Sequence, residues 1–274
     1  MLQFEVQPEL CAACGQCAYD CPAKIINLDT GLPAIAADRE ANCLRCQHCM
    51  AICPTGAISI LGVHPEELQP IPERFPQVEA LETLIRGRRS VRHFADEDLD
   101  AQLLTHLLEV AWQAPTGKNA RQVRFTVIDT RKKMDEIREK VMSRIDRLAG
   151  KNALPEELSF FAGFARRWKE KRTDIIFRGA PHLLIASAPA SIATPVEDCL
   201  IALSTFDLFA QAHGVGTAWV GFGKDAINVL APEIKQELSI PADHVLGYVM
   251  IFGKPAVSYA RTVLHRDAII HRVG

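Results

Sequence analysis

The fold of the first part of this chain is decided by the stretch Cys11-Ala-Ala-Cys-Gly-Gln-Cys-Ala-Tyr-Asp-Cys-Pro22. A second copy, Cys43-Leu-Arg-Cys-Gln-His-Cys-Met-Ala-Ile-Cys-Pro54, follows at a fixed offset of 32 residues. Both copies read C-x2-C-x2-C-x3-C-P. Neither copy has enough apolar surface to fold alone, so the two are expected to pack against each other.

The cysteine spacing predicts two [4Fe–4S] clusters, because in such repeats each close triplet binds one cluster and the fourth cysteine binds the other. The alternative is a pair of zinc sites. Zinc usually takes two C-x2-4-C pairs from separated loops, and four cysteines this close in sequence would crowd it. His48 is interpreted as a neighbour of a cluster and not a ligand. The predicted ligands are Cys11, Cys14, Cys17 and Cys53 for one cluster, and Cys43, Cys46, Cys49 and Cys21 for the second.

Composition excludes several classes of protein. The chain has 274 residues, 48% of them hydrophobic and 23% charged, with a formal net charge of −2. These values argue against disorder, a coiled coil and a basic nucleic-acid binder. No stretch approaches the roughly 20 apolar residues of a membrane span, and the N-terminus lacks the features of a signal peptide. We therefore expect a cytoplasmic protein without a membrane or nucleic-acid partner.

The cysteine content agrees with this expectation. Eight of the nine cysteines lie between Cys11 and Cys53, and in a reducing compartment such clustering favours metal ligation over disulfides. The ninth, Cys199, stands alone in an apolar segment. We interpret it as a core thiol and not as a nucleophile, since free cysteine is commonly buried.

The chain divides into an N-terminal module, a linker and a larger second domain. We predict the module over residues 1–61, where 3 Lys and Arg residues face 6 Asp and Glu residues. A Pro-rich stretch over residues 62–78 favours an extended connector. Residues 79–274 then form the second domain.

In the second domain, helical and strand patterns alternate. Strands are predicted at 123–127, 182–188, 216–222 and 244–252, and helices at 98–113, 134–148, 155–176, 195–212 and 226–238. The helix over 195–212 is apolar almost all round and must be buried. The predicted fold class is α+β, with a central mixed sheet flanked by helices.

Four arginines lie within the segment Arg86-Gly-Arg-Arg-Ser-Val-Arg-His-Phe94. Guanidinium groups suit bidentate phosphate binding, and Ser90 adds a hydroxyl. A solvated basic turn and a nucleic-acid patch remain open from these residues alone.

Two resemblances extend these predictions. Residues 1–61 resemble a two-cluster bacterial-type ferredoxin, which implies low-potential electron transfer. Residues 79–274 resemble the nitroreductase family of FMN flavoproteins through three motifs, Arg88-Arg-Ser-Val-Arg92, Ala114-Pro-Thr-Gly-Lys-Asn119 and Gly214-Val-Gly-Thr-Ala-Trp-Val-Gly221. The family's turn corresponding to the second motif usually contacts flavin from the other subunit of a homodimer. Near the C-terminus, either Arg261 or Arg266 matches the family's last phosphate-binding arginine, and we favour Arg266.

The resemblance implies FMN as cofactor in an α/β sandwich. Its expected binding residues are Arg88, Arg89, Ser90, Arg92, Pro115, Thr116, Gly117, Asn119, Gly221, Phe222 and Arg266. No catalytic side-chain acid or base is assigned.

Together these features predict a nitroreductase-type oxidoreductase that reduces a small electron-poor acceptor with electrons from its own clusters. Soluble ferredoxin or NAD(P)H is the expected donor. An electron relay to a partner protein and a reductase for a specific metabolite are the alternatives. A set of aromatic residues, Phe160, Phe161, Phe164 and Trp168, is interpreted as core or subunit packing, with a lid over the flavin as the other possibility.

Overall fold

The structure, a computed structural model, describes residues 2–71, 75–265 and 268–274. It divides into two compact units, Met1–Phe75 with Lys118–Ala120, and Pro76–Gly117 with Arg121–Gly274. Among the described residues, none of the helices combines the length and apolarity needed to cross a bilayer.

The first unit is built from very short elements around a small core. Its elements are β1 Glu5–Val6, α1 Gln16–Asp20, β2 Ile26–Asn27, β3 Ala34–Ile35, α2 His48–Ala51 and β4 Ile58–Ser59. Strand β1 pairs antiparallel with β4, so the beginning and end of the repeat close on each other. Strand β2 pairs antiparallel with β3. The core contains Ile25, Ile26, Met50, Ile58 and Ile60 together with Cys17, Cys21 and Cys49.

The second unit alternates helices and strands. Its elements are α3 Val78–Gly87, α4 Ala101–Ala111, β5 Arg124–Ile128, α5 Arg131–Gly150, α6 Phe161–Lys171, β6 His182–Pro189, α7 Pro195–Ala212, β7 Gly216–Trp219, α8 Gly221–Asp225, α9 Glu233–Glu237 and β8 His244–Gly253. A π-helical turn, Ala226–Leu230, lies between α8 and α9.

A four-stranded sheet in the order β5-β6-β8-β7 forms the centre of this unit. All three pairings are antiparallel, and a parallel bridge between Ser90 and Thr217 makes the sheet mixed. The predicted α+β class is confirmed.

Helices cover both faces of the sheet because successive side chains of a strand point to opposite faces. Leu183 and Ile185 of β6 pack with α5 and α6. Leu184 and Ala186 pack with α4 and α7 on the other face. The strand therefore reads as a continuous apolar run, as the sequence predicts for residues 182–188.

Three of the predicted elements are wrong in their extent. In place of the helix expected over residues 155–176, a 3₁₀ turn at Glu156–Leu158 is followed by α6. Helix α6 ends just before Arg172, whose backbone is in the left-handed conformation. Beyond it, the Asp174 carboxylate accepts hydrogen bonds from the backbone N–H groups of Phe177 and Gly179. These bonds give the backbone an alternative to the helix.

The strand expected over residues 216–222 ends at Trp219, and Gly221 and Phe222 begin helix α8 instead. The helix expected over 226–238 is broken at Pro232, which precedes α9. Proline has no N–H to continue the preceding hydrogen-bond ladder, which explains this break.

Helix α7 has the predicted bounds, but its buried residues are not all apolar as predicted. Asp198 and Asp207 are both buried on it, and Ile201 is exposed. The helix is therefore not apolar all round, and each buried carboxylate requires partners.

Candidate functional site

The predicted cluster ligands form two groups in the first unit. Cys49 lies near enough to Cys46, Cys43 and Cys21 for mutual charge repulsion between their thiolates. One cavity is lined by these same four cysteines and by apolar residues such as Ile26. This is the second set predicted from the spacing, including the cysteine contributed by the first copy.

Three cysteines of the other predicted set also lie near one another. Cys17 has charge interactions with Cys14 and Cys53, and Cys53 comes from the second copy. Within the part of the chain that the structure describes, no three His, Cys, Asp or Glu side chains converge tightly enough to share one metal ion. The sulfurs of the second set instead surround a cavity, a donor arrangement that fits a cluster.

The protonation of the cysteines depends on their surroundings. Burial raises the pKa of the Cys49 thiol to about 12. Burial also disfavours the Cys53 thiolate, but hydrogen bonds from Thr55 and from the Ala57 N–H lower the pKa of Cys53 below its usual value. The Ala57 N–H donates to the Cys53 Sγ over 3.3 Å. Such N–H···S contacts stabilise the thiolate that iron requires.

His48 lines the cavity of the second set. Its Nδ1 lies 3.4 Å from the Asp20 carboxylate. This arrangement gives the ring a partner other than a metal and agrees with its interpretation as a neighbour of the cluster.

In the second unit, a cavity of about 300 Å³ is lined by Arg92, Gly221 and Phe222. Its other lining residues are Ile175, Ile176, Arg178, Ala218, Trp219, Val220 and Asp225. Its volume is at the lower end of the range of small-molecule sites. We call it the flavin cavity, after the cofactor that the resemblance implies for its residues.

The remaining arginines of the motif lie at the end of α3. Arg89 donates through its two Nη atoms to the carbonyl oxygens of Arg86 and Arg88. Carbonyl oxygens at a helix C-terminus have no partner within the helix, so the Arg89 side chain satisfies them. The Arg89 Nε is buried without a hydrogen-bond partner among the described residues. The buried Arg88 Nη1 makes no hydrogen bond either, although it lies 3.4 Å from the Asp207 carboxylate in an ion pair. The orphaned Arg89 Nε fits an acceptor group such as a phosphate.

The segment containing Ser90 is tied to the sheet. The Val91 N–H donates to the Thr217 carbonyl oxygen over 2.8 Å, beside the Ser90–Thr217 bridge. A Cβ on Gly216 would lie 2.7 Å from the Val91 side chain. Glycine at this position therefore allows the arginine segment to approach β7 closely.

The turn after α4 does not reach the flavin cavity, whose described lining contains none of Pro115, Thr116, Gly117 and Asn119. The Gly117 N–H donates to the Asp198 carboxylate over 2.9 Å. The Thr116 hydroxyl oxygen accepts from the Arg121 N–H. Asn119 belongs to the first unit, in which its side-chain amide donates to the Leu44 carbonyl oxygen. Arg266 lies outside the described residues.

Residues 85–254 match the family described as Nitroreductase. The chain belongs to the nitroreductase family. Residues 10–58 match a 4Fe-4S dicluster domain. The predicted architecture of an N-terminal cluster domain followed by a nitroreductase domain is therefore confirmed.

Several known proteins resemble this chain over part of its length. A nitroreductase structure with bound FMN from Bacteroides fragilis is 20% identical and covers 71% of this chain and 98% of its own, with a TM-score of 0.58. The 5,6-dimethylbenzimidazole synthase of Rhodospirillum rubrum is 25% identical over 207 residues, 69% of this chain and 88% of that enzyme. The 4-nitrobenzoate reductase of a Nocardioides species is 36% identical over 58 residues, 21% of this chain and 24% of that enzyme.

This chain is a nitroreductase-family oxidoreductase with a 4Fe-4S dicluster domain, and a solved structure that it resembles contains FMN. Bound FMN supplies a centre that accepts single electrons and delivers electron pairs. The residues that would hold it are the donors at the end of α3, the backbone at the start of α8 and the side chains around the cavity.

Phe161, Phe164 and Trp168 of α6 pack in the core, as the sequence interpretation favours, whereas Phe160, just before α6, is exposed. Phe161 is fully buried in the core. The Phe222 ring lies 5.1 Å from the Phe164 ring and 5.6 Å from the Phe160 ring, centroid to centroid. Because Phe222 also lines the flavin cavity, these packed aromatic rings support one wall of that cavity.

Sequence reasoning missed Asp207, a buried carboxylate at the site. Its oxygens accept hydrogen bonds from the Thr217 hydroxyl and, over 3.1 Å, from the Trp219 indole. They also form an ion pair with Arg88 at 3.4 Å. The available signal was a charged residue inside an otherwise apolar helix, which requires a buried partner.

Proposed function

We propose that this chain takes electrons through its own two clusters and passes them by way of FMN to a small electron-poor organic substrate. Nitro compounds, quinones and activated alkenes are the substrate classes. Clusters carry one electron at a time, whereas reducing such groups needs pairs, and flavin converts between the two. The presence of both modules in one chain supports this electron route.

The observation that carries the proposal is the flavin cavity. It brings Arg92, Gly221 and Phe222 together, and its apolar residues surround a few polar groups. Such a composition suits a small aromatic molecule, because apolar walls provide affinity and a few polar groups fix orientation. An open cavity also favours a small-molecule acceptor over a relay between proteins.

The immediate donor in this proposal is a soluble ferredoxin or NAD(P)H. The protein acts as a homodimer in the cytoplasm. The turn at Pro115, Thr116 and Gly117 then contacts the flavin of the other subunit, which would explain why it is absent from the cavity of its own chain.

Anaerobic stopped-flow spectroscopy of the holoprotein tests the proposal. NADH, NADPH or reduced ferredoxin should bleach the clusters and the flavin, and a nitroaromatic, a quinone or an activated alkene should then reoxidise them. A Cys17→Ser variant that retains FMN is the control, and its flavin should be reduced more slowly by the same donor. Reduced flavin that no acceptor of these classes reoxidises would contradict the proposal.

A reductase for a specific metabolite, with nitro reduction incidental, is the second candidate. The relatives favour it, because their names cover both a nitrobenzoate reductase and a synthase of dimethylbenzimidazole. Incubating reduced holoprotein with fractionated metabolites separates the two candidates. One metabolite consumed far faster than simple nitroaromatics would favour the second.

A further inference from the structure

The two copies of the cysteine repeat fold with matching backbones. Ala13 and Arg45, which are 32 positions apart, both have a left-handed φ angle, at 51° and 54°. The same is true of Lys24 and Gly56, at 50° and 66°. Each residue of one copy therefore has a counterpart 32 positions away, and the two predicted ligand sets can be compared position by position. We call them the first set, Cys11, Cys14, Cys17 and Cys53, and the second set, Cys21, Cys43, Cys46 and Cys49.

One pair of counterparts differs in its ability to donate a hydrogen bond. The Thr55 hydroxyl lies 3.6 Å from the Cys53 Sγ. A thiolate that binds iron carries no hydrogen, so in the cluster-loaded protein the hydroxyl must be the donor. Its counterpart Ala23 has no hydroxyl, and among the described residues the Cys21 Sγ accepts no hydrogen bond.

Other donors to the cysteine sulfurs are balanced between the two sets. The backbone N–H groups of Ala18 and Met50 donate to the sulfurs of Cys17 and Cys49. Donors and acceptors are both separated by 32 positions, so this contact is the same in each copy and favours neither cluster.

Two further backbone contacts differ in position but not in kind. In the second set, the Arg45 N–H donates to the Cys43 Sγ over 3.4 Å. In the first set, the Ala57 N–H donates to the Cys53 Sγ over 3.3 Å. These two contacts offset each other, which leaves the Thr55 hydroxyl as an additional donor to the first set.

Solvent exposure differs between the sets in the same direction. Cys14 of the first set is exposed, whereas its counterpart Cys46 is partly buried. Cys53 is partly buried, whereas its counterpart Cys21 is buried and lines an apolar cavity. Water and hydrogen-bond donors both stabilise the more negative charge of a reduced cluster and so raise its reduction potential.

The charge beside the second set does not compensate for these differences. His48 lines the cavity of that set, and its Nδ1 lies 3.4 Å from the Asp20 carboxylate. A protonated His48 is therefore paired with a negative charge, and a neutral His48 brings no charge.

We propose that the Thr55 hydroxyl, by donating to the Cys53 Sγ, makes the cluster of the first set the more easily reduced of the two. The first electron that the chain takes up then resides at the first set, and a second electron enters the second set only at a lower potential. Each step adds one electron and breaks no bond. Thr55 acts through Cys53 and is thus a positioning residue. The inference goes beyond the proposed function, because it does not depend on the organic acceptor.

Potentiometric titration of the anaerobic full-length holoprotein tests this, with dithionite as the reductant and EPR of the reduced clusters as the readout. The unsubstituted protein should show two midpoint potentials. Thr55→Val keeps the shape of the side chain without the hydroxyl and should lower only the higher midpoint. Because Thr55 is exposed, water replaces part of the lost bond. We therefore expect about a threefold change in the ratio of reduced to oxidised cluster, or about 28 mV at 59 mV per tenfold.

Moving the hydroxyl to the other copy gives the complementary test. Ala23→Thr places a hydroxyl at the counterpart position and should raise only the lower midpoint, by a similar ratio. Thr55→Ser keeps a hydroxyl and should retain both midpoints of the unsubstituted protein. Thr30→Val is the matched control, because the Thr30 hydroxyl donates to the Leu32 carbonyl oxygen and not to a sulfur. It should also leave both midpoints unchanged.

One midpoint shared by both clusters in the unsubstituted protein would overturn the inference. A Thr55→Val variant that lowers the lower midpoint, or neither, would overturn it as well. If Thr55→Val fails to assemble its clusters, Ala23→Thr still decides the order, since a rise in the higher midpoint would assign that midpoint to the second set. No turnover is measured, so a protein that reduces no organic acceptor can still show the predicted shifts.

Discussion

The Asp207 carboxylate of α7 lies 3.4 Å from the Arg88 guanidinium at the end of α3. The same carboxylate accepts from Thr217 and Trp219 of β7, so one buried acid connects the predicted phosphate-binding arginine to the strand that leads into Gly221. Arginine can serve two acceptors at once because it has five donors in a fixed fork. Asp207 is therefore placed to orient Arg88 while leaving donors for a phosphate.

Replacing Asp207 with Asn should weaken FMN binding. The amide removes the charge that orients Arg88 while keeping an oxygen for the Thr217 hydroxyl. We expect the Kd for FMN to rise about 5- to 30-fold, corresponding to about 1–2 kcal/mol. Fluorescence titration of the apoflavoprotein measures it. Asp146→Asn, which removes an exposed carboxylate paired with Lys169, should leave the Kd unchanged, and an equal effect of both variants would contradict the role.

Pairs of cysteine substitutions should reveal the crossed ligand sets. Cys14→Ser in a Cys53→Ser background should lose no further iron, because both residues belong to one predicted cluster. Cys46→Ser in the same background should lose the second cluster as well. Iron and sulfide analysis with EPR of the reduced protein measures this. Additive loss in the first pair would contradict the crossed assignment, since residues that act as one unit are not additive.

The buried pair of Arg138 and Asp174 should matter far more to stability than a surface pair. Asp174→Ala leaves the Arg138 charge buried, so we expect a loss of about 3–5 kcal/mol in the free energy of unfolding. Glu237→Gln, which disrupts the more exposed contacts with Lys133 and Lys140, should cost less than about 1 kcal/mol. Urea denaturation compares them, and similar losses would contradict the difference in burial.

Cys199 should be unreactive in the native protein. It is fully buried, and burial raises the pKa of its thiol to about 12, against an ordinary value of 9.0. A raised pKa stabilises the folded state below about pH 9, and this contribution is lost as the pH rises toward 12. At pH 9, iodoacetamide should modify Cys199 in urea but not in the native protein, as read by peptide mass spectrometry. Rapid native modification would indicate a reactive thiol.

The contact between Gly247 and Cys199 should tolerate no added methyl group. A Cβ at position 247 would lie 2.2 Å from the Cys199 Cβ, so Gly247→Ala should lower the free energy of unfolding by about 1–3 kcal/mol. Gly150→Ala, in α5 with open space around it, should be neutral or slightly stabilising. Thermal unfolding of both variants tests this. If Gly247→Ala leaves the free energy of unfolding unchanged, β8 and α7 must move apart at little cost, which contradicts the expectation.

Local patterns were sufficient where one segment carries its own signal. Helix α7 has the predicted bounds because Pro195 suits a first turn and the apolar run is long. Strand β6 is predicted by a short, mostly apolar run. Elsewhere, contacts between residues distant in sequence made the structure differ from the prediction. At residues 174–180 the predicted helix does not form, because Asp174 and Ala180 bind the buried Arg138 instead. Phe222 is in a helix although its sequence reads as a strand, and it joins the rings of α6.

The sequence by itself determined the family and the cluster domain of this protein, because the eight cysteines predicted to bind iron recur at a fixed spacing and the nitroreductase motifs are contiguous. Only the tertiary structure decided which charges are buried, paired or free. Asp207 meets Arg88 although the two residues are 119 positions apart in the chain, and Arg178, which lines two cavities, has no carboxylate partner among the described residues. Desolvation and pairing of charges depend on three-dimensional neighbours, which no local pattern of residues encodes.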